Sequence, residues 1–256
     1  MAKQLKNIIF LLLSLLLLSS CQSKRQLVWE ENFDGNKLRE DIWTVETGDG
    51  CPNLCGWGNN ELQLYTTENY QIRDGMLRIS AKGENGNYTS SRITTRKKKE
   101  IQYGRIEARA QLPRGKGLWP AFWMLGSNMD EAGWPLCGEI DILEYVGREP
   151  ETVFTTLHTA DSHGNSKNTR KDKIEGIENG FHMYAIDWTK DYINFYIDNK
   201  LFYSFSPKNK SVEVWPFDQP FYFILNLAVG GNFGGSEVDD SIFPQEFVID
   251  YIKVYQ

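Results

Sequence analysis

The 256-residue sequence has no surplus of positive charge: 28 Lys and Arg stand against 34 Asp and Glu, a net charge of −6. Nucleic-acid binding favours a basic footprint, so nothing here points to such a partner. Cysteine is scarce, four residues in all, and there is no paired Cys-x-x-Cys array of the kind that holds zinc. The one strongly apolar run, Ile8 to Leu18 with Ser14 inside it, is too short for a comfortable membrane span. After it, no helical period persists. Aromatic residues are plentiful, at 13% with eight Trp. Such a surplus suits a thick β core, and it also suits carbohydrate, whose sugar faces stack on flat rings. The length fits one large all-β domain and is too short for two comfortable ones.

Lys3 and Lys6 precede the apolar run and Ser19-Ser20-Cys21 follows it, the layout of a secretory signal. Leu18-Ser19-Ser20-Cys21 also resembles the bacterial lipobox, in which the cysteine is lipidated and becomes the mature N-terminus. The expectation is a lipoprotein signal peptide over 1–20, a lipid-anchored tether over 21–26 with Cys21 modified, and one folded domain over 27–256. Loss of Lys3 and Lys6 takes the mature net charge to −8. The protein is then expected on the extracytoplasmic side of a bacterial envelope, held at the outer membrane or cell surface, where thiols can oxidise. Cys51 and Cys55 lie close enough for a small disulfide, which spacing alone does not decide.

From Leu27 onward the pattern is short strands and turns, the signature of a sandwich or barrel. Tyr70–Arg73 and Met76–Ala81 flank Asp74-Gly75, a hairpin signal. Asp198-Asn199-Lys200 makes another tight turn. Arg92–Arg96 and Tyr103–Gln111 flank the basic tip Lys97-Lys98-Lys99, read as a solvated turn. Ser162 to Gly180 is polar and reads as a surface excursion.

Three acids stand out in Cys137-Gly138-Glu139-Ile140-Asp141-Ile142-Leu143-Glu144-Tyr145-Val146-Gly147. In a strand, residues two apart share a face, which sets Glu139 and Asp141 opposite Ile140 and Ile142. Unpaired charge is costly to bury, so packing gives no reason for these acids. Glu144 breaks the alternation. One extra residue, a β-bulge near Ile142-Leu143, returns it to the acidic face. The two Glu Cα atoms then lie roughly 13 Å apart. After the reach of both side chains, the gap is near the ~5–5.5 Å of retaining glycosidases. Asp141 between them can hold a proton and separate their pKa values. For the acids alone, a solvated strand face or a three-acid calcium site is the alternative. Trp119 and Trp123 share a face with Ala121 between them, either a flat platform for sugar or a core pair. Trp57 sits in a Gly/Asn loop where a core role is less natural, and Trp134, Phe233 and Tyr145 are further candidates for a cleft lining.

These stretches together resemble glycoside hydrolase family 16 in its laminarinase-like branch, over nearly the whole mature chain. The most specific piece is Glu139-Ile140-Asp141-Ile142-Leu143-Glu144. It is supported by Trp57-Gly58-Asn59-Asn60-Glu61-Leu62, Tyr103-Gly104-Arg105-Ile106-Glu107-Ala108-Arg109, Gly117 to Leu125, Asn226-Leu227-Ala228-Val229-Gly230-Gly231-Asn232 and the ending Asp250 to Tyr255.

The resemblance implies a β-jelly-roll sandwich of two antiparallel sheets with a concave substrate cleft. It implies a retaining endo-β-glucanase acting on laminarin-type β-1,3-glucan, with mixed-linkage β-1,3-1,4-glucan as a further substrate. A licheninase and a non-catalytic glycan-binding protein are the alternatives. By the same match Glu139 is the nucleophile, Glu144 the general acid/base and Asp141 their support. Asn69 and Arg92 fall where the family binds glucose on the non-reducing side. Trp119, Trp123 and Trp134 border sugars, His158 lies beside the acid/base, and Asn232 lines the cleft. No catalytic cofactor is implied and a monomer is expected. Asn32, Gly75 and Asp250 match a structural calcium site. Two positions depart from the branch: Asn32 stands where an acid is common, and Phe233 where Trp is common.

Overall fold

The computed structural model describes residues 25–256; the expected signal peptide, Cys21 and most of the tether lie outside the described residues. Eighteen strands follow in chain order. The first nine are β1 (Leu27–Glu31), β2 (Thr44–Glu46), β3 (Gln63–Tyr65), β4 (Tyr70–Arg73), β5 (Met76–Glu84), β6 (Asn87–Ser90), β7 (Arg92–Thr94), β8 (Glu100–Ile101) and β9 (Gly104–Gln111). The rest are β10 (Leu118–Gly126), β11 (Glu139–Tyr145), β12 (Thr152–His158), β13 (Thr169–Lys173), β14 (His182–Trp188), β15 (Ile193–Ile197), β16 (Lys200–Phe205), β17 (Phe221–Val229) and β18 (Gln245–Tyr255).

They form two sheets. One runs β16-β15-β14-β9-β18-β5-β6-β3, with β1 on β18 and β4 on β5. The other runs β13-β12-β11-β10-β17-β7-β2, with β8 on β17. Every pairing is antiparallel except β3 with β6. The fold is the expected all-β jelly-roll sandwich.

Alternation decides which side of each strand meets the core. Phe122 on β10, Ile140 and Leu143 on β11, and Phe223, Leu225 and Leu227 on β17 are fully buried against Ile106, Ile186, Ile249 and Ile252 of the other sheet. The opposite faces of β10, β11 and β17 are left to carry polar and aromatic side chains. Glycine is required where chains touch: a Cβ at Gly147, just after β11, would lie 1.7 Å from the Gly115 carbonyl oxygen.

Four expectations need correction. Arg25 and Gln26 are not free tether: Gln26 and Gln256 exchange both backbone hydrogen bonds, at 2.7 and 2.9 Å, and Arg25 pairs with Asp187 at 2.7 Å. The Ser162–Gly180 stretch contains β13, an edge strand whose five residues are all exposed, so it lacks the apolar alternation that reveals a strand. Lys97–Lys99 is more than a solvated turn. It joins β7 to β8, both paired with β17, and Lys98 Nζ donates to the Glu40 and Trp43 carbonyls at 2.6 and 2.8 Å.

Asn69 is the fourth. Its side chain is buried in the turn between β3 and β4, with Nδ2 donating to Ser80 O at 2.8 Å and Thr89 Oγ1 at 3.1 Å, while Oδ1 accepts from Thr66 Oγ1 at 2.6 Å. No amide hydrogen remains for a sugar. An Asn69→Ala substitution strands the Ser80 carbonyl and should cost about 1–3 kcal/mol of stability, read by denaturant unfolding, with KM for glucan unchanged. A raised KM at normal stability would return Asn69 to the cleft.

Candidate active site

The outer face of the β13-to-β2 sheet is organised in transverse rows set by the strand register. One row reads Glu46, Arg92, Asn226, Ala121, Glu144 and Phe154. The next reads Thr94, Ile224, Trp123, Asp141 and Thr156, and a third Tyr222, Leu125, Glu139 and His158. The three acids thus occupy three successive rows of one face. A bulge makes this possible. Phe122 pairs with Leu143 but Trp123 pairs with Asp141, so Ile142 has no partner on β10. The ladder to β12 slips at the same place, between Asp141 and Glu144. Ile142 and Leu143 both turn into the core, at 3% and 0% exposure, and Glu144 is returned to the face of Asp141.

Each Glu is held by an indole. Trp134 Nε1 donates to Glu139 Oε2 at 2.7 Å, and Trp119 Nε1 to Glu144 Oε1 at 3.0 Å. His158 Nε2 lies 3.3 Å from Asp141 Oδ2 and 3.7 Å from Glu139 Oε1. All three carboxyls hold protons more tightly than usual. Burial first, then repulsion from Asp141, pushes Glu139 up to about 8. Burial lifts Glu144 to about 7 against the pull of His158, and burial with repulsion from Glu144 raises Asp141 well above the usual range. The three titrate as one unit, each ionisation opposing the next, and that unit retains protons at neutral pH.

On one side of the acids, the Arg92 guanidinium is sandwiched between Trp57 and Trp123, 4.7 and 4.9 Å from their ring centres, and its Nε donates to Glu46 at 2.6 Å. Trp57 lies two residues after a small loop closed by a Cys51–Cys55 disulfide, and its Nε1 donates to Gly48 O at 3.2 Å. Behind Trp123 runs a chain of hydrogen bonds. Trp123 Nε1 donates to Asn226 Oδ1 at 2.8 Å, Asn226 Nδ2 to the Tyr65 hydroxyl at 3.1 Å, and that hydroxyl to Glu61 Oε2 at 2.9 Å. An ionised Glu61 accepts only, so Tyr65 must donate to it, which turns the Asn226 carbonyl toward the indole.

On the other side, Phe233 meets Trp119 and Phe154 edge-on, with ring centres 5.4 and 4.9 Å apart. Asn60 Nδ2 donates to Asn232 Oδ1 at 2.8 Å and Asn232 N to Asn59 O at 2.7 Å, which ties the two loops together at the cleft edge.

The acids, Arg92, the three Trp, His158 and Asn232 therefore converge on one face, while Asn69 does not. Trp119 and Trp123 are separately anchored side chains, each spending its N–H on a neighbour, instead of one flat platform. Tyr145 is not a lining residue: it follows Glu144, faces the core at 1% exposure, and its hydroxyl donates to Glu178 at 2.7 Å. Cys137 is a buried free thiol beside the acidic strand. Glu46 and Tyr65 lie outside the motifs of the sequence, and Asn226 inside one; only strand pairing and packing show that Glu46 touches Arg92 and that Asn226 links Tyr65 to Trp123. Glu61 lay inside a motif already noted, but nothing local revealed its partners.

The expected metal positions lie on the other sheet. Glu31 pairs with Ile252 and Leu77 with Ile249, while β9 takes the other edge of β18, so Asn32 and Gly75 lie along one edge of that strand, coming toward Asp250 from its two ends. Asp250 is itself bulged out of the ladder to β9, and its carboxylate pairs with Arg109.

Glu139 binds its proton more tightly folded than at the ordinary value of 4.5, up to about 8. Between these limits the folded protein holds more protons than the unfolded chain, so stability falls as pH rises through that window. Glu139→Gln removes this loss. Its melting temperature should match or exceed wild type at pH 5 and pull further ahead toward pH 8, by roughly 2–4 °C for each kcal/mol relieved. A constant difference across the window would show that Glu139 titrates normally.

Comparison with known proteins agrees with this geometry. The pattern of Glycosyl hydrolases family 16 matches residues 58–253. The crystal structure of a laminarinase from Flavobacterium sp. UMI-01 is 65% identical and superposes with a TM-score of 0.89, over 90% of this chain and 100% of that one. The laminarinase catalytic domain from Thermotoga maritima MSB8 is 42% identical with a TM-score of 0.85, over 91% of this chain and 98% of that one. Among characterised sequences, a beta-glucanase from Rhodothermus marinus is 40% identical over 250 residues, 90% of this chain and 85% of that protein.

Proposed function

The chain belongs to glycosyl hydrolases family 16, and from that premise we propose how its cleft works: as an endo-β-1,3-glucanase that hydrolyses laminarin-type glucan by double displacement. The observation that carries this reading is the bulge at Ile142, which sets Glu139 and Glu144 two rows apart on one face with an indole N–H on each.

Glu139 attacks the anomeric carbon. It does so as its carboxylate, the form that the Trp134 N–H and the nearby His158 favour against the opposing effects of burial and Asp141. Glu144 gives its proton to the departing glycosidic oxygen as the glycosyl-enzyme forms. It then takes a proton from water, which releases the sugar with its β configuration retained. Asp141 lies between them, and the repulsion among the three carboxyls keeps a proton available in the group. No cofactor takes part in these steps. Arg92, Trp57 and Trp123 form the wall on one side of the scissile bond, and Trp119, Phe233 and Phe154 on the other. Mixed-linkage β-1,3-1,4-glucan is the second substrate, and Phe233 is where selectivity between the two is sought, since it offers a smaller ring and no N–H.

Glu139→Ala should lower hydrolysis of laminarin by at least about 10⁴-fold while glucan binding persists, because the whole covalent step is lost. Proton NMR of early wild-type product should show the β anomer first. Turnover by Glu139→Ala, or an α anomer, would overturn these roles. Reducing-sugar release compared on laminarin and barley β-glucan sets the preference.

The protein acts as a monomer anchored through lipidated Cys21 at the bacterial envelope, a reading supported by the Leu18-Ser19-Ser20-Cys21 sequence. Among the described residues no helix is long and apolar enough to cross a membrane. Asn32, Gly75 and Asp250 are read as the ligands of a structural calcium, mainly through backbone oxygens, with Asp250 supplying the one carboxylate. That carboxylate is shared with Arg109, so affinity is low. Millimolar calcium should raise the melting temperature of wild type and leave Asp250→Ala unmoved; equal shifts in both would place the ion elsewhere.

A further inference from the structure

The acidic side of the cleft has the geometry of a metal site. One donor atom from each of Glu139, Asp141 and His158 lies within 4.8 Å of the other two. The closer spacings are 3.3 Å from His158 Nε2 to Asp141 Oδ2 and 3.7 Å to Glu139 Oε1. Ligands at 2.0–2.1 Å around a tetrahedral ion are about 3.4 Å apart, so these atoms need little movement to share one. Asp141 supplies an independent observation. Its side chain is only 4% exposed, and its Oδ2 faces the histidine with no hydrogen-bond partner. A buried carboxylate oxygen without a donor is a costly group, and a cation satisfies it.

The donor set selects the ion. Calcium takes six to eight oxygens, which one imidazole and two carboxylates cannot provide. Imidazole with carboxylate suits zinc and its first-row neighbours, and three protein ligands leave a fourth position for water. The opposite nitrogen of His158, Nδ1, is buried and unpartnered, so the ring is not committed to another tautomer by a neighbour.

We propose that the cleft, when free of sugar, binds one first-row divalent cation, with Zn²⁺ as the prototype, through His158 Nε2, Asp141 and Glu139, and that the bound ion blocks hydrolysis by occupying the nucleophile. Sugar and ion then exclude one another. The binding half rests on this geometry alone. The blocking half rests on the role proposed for Glu139.

The test begins with metal-free mature protein. Zinc chloride titrated by calorimetry should bind one per chain, and Co²⁺ should give the intense visible absorption of a four- or five-coordinate ion. His158→Ala should weaken zinc at least about tenfold, since even residues behind a ligand cost 10–100-fold. Asp141→Asn gives a second variant if the first fails to fold. Cys137→Ala, which removes the buried thiol, should change nothing. Zinc should stop laminarin hydrolysis, and EDTA should restore it. Absence of binding overturns the site and leaves the role of Glu139 untouched. Binding undiminished by His158→Ala and Asp141→Asn also overturns it, placing the ion elsewhere, for example at the His182–Asp198 pair. Binding that depends on His158 without any effect on hydrolysis overturns the blocking step and counts against Glu139 as nucleophile.

Discussion

One unpaired residue governs this active site. Ile142 has no partner on β10, and its insertion changes the parity of everything after it in β11. Without it, Glu144 would point into the sandwich with Leu143 beside Asp141, since a one-residue slip exchanges the two faces of a strand. With it, two consecutive apolar residues enter the core and three acids emerge on the other side. The arrangement is supported by the strands around it: β10 and β12 both shift register at the same point, so the irregularity is shared by three strands.

Three carboxyls on one face would repel each other strongly if all were ionised. The sheet manages this with donors of modest strength. Two indole N–H groups and one imidazole approach the acids, while the Arg92 guanidinium, in the row of Glu144 but with two strands between them, is held by Glu46 and flanked by two rings. A strong cation among the acids would fix them as anions and remove the proton the leaving group needs. Neutral donors orient the carboxyls and still allow protons to stay.

Much of this was legible because it is local. Alternation over seven residues predicts the acidic face, and the break at Glu144 calls for a bulge. The jelly-roll strands follow from short apolar alternation between turns. What was not legible depends on residues far apart in the chain. Glu61, Tyr65 and Asn226 form one chain of bonds behind Trp123, yet Asn226 is 161 positions from Tyr65. Asn69 has the same chemistry whether it binds a sugar or closes a turn, and only its burial against Ser80 and Thr89 decides. β13 escaped notice because an exposed edge strand carries charge on both faces and so has no apolar rhythm.

The pairing of β1 with β18 joins the beginning of the domain to its end. β18 also lies between β9 and β5, so it is the spine of its sheet as well as the partner of the first strand. A chain made from its N-terminus therefore offers β1 no lasting place until its final eleven-residue strand exists. Closing so long a loop is slow relative to local pairing. No nascent fragment that lacks β18 can finish this sheet.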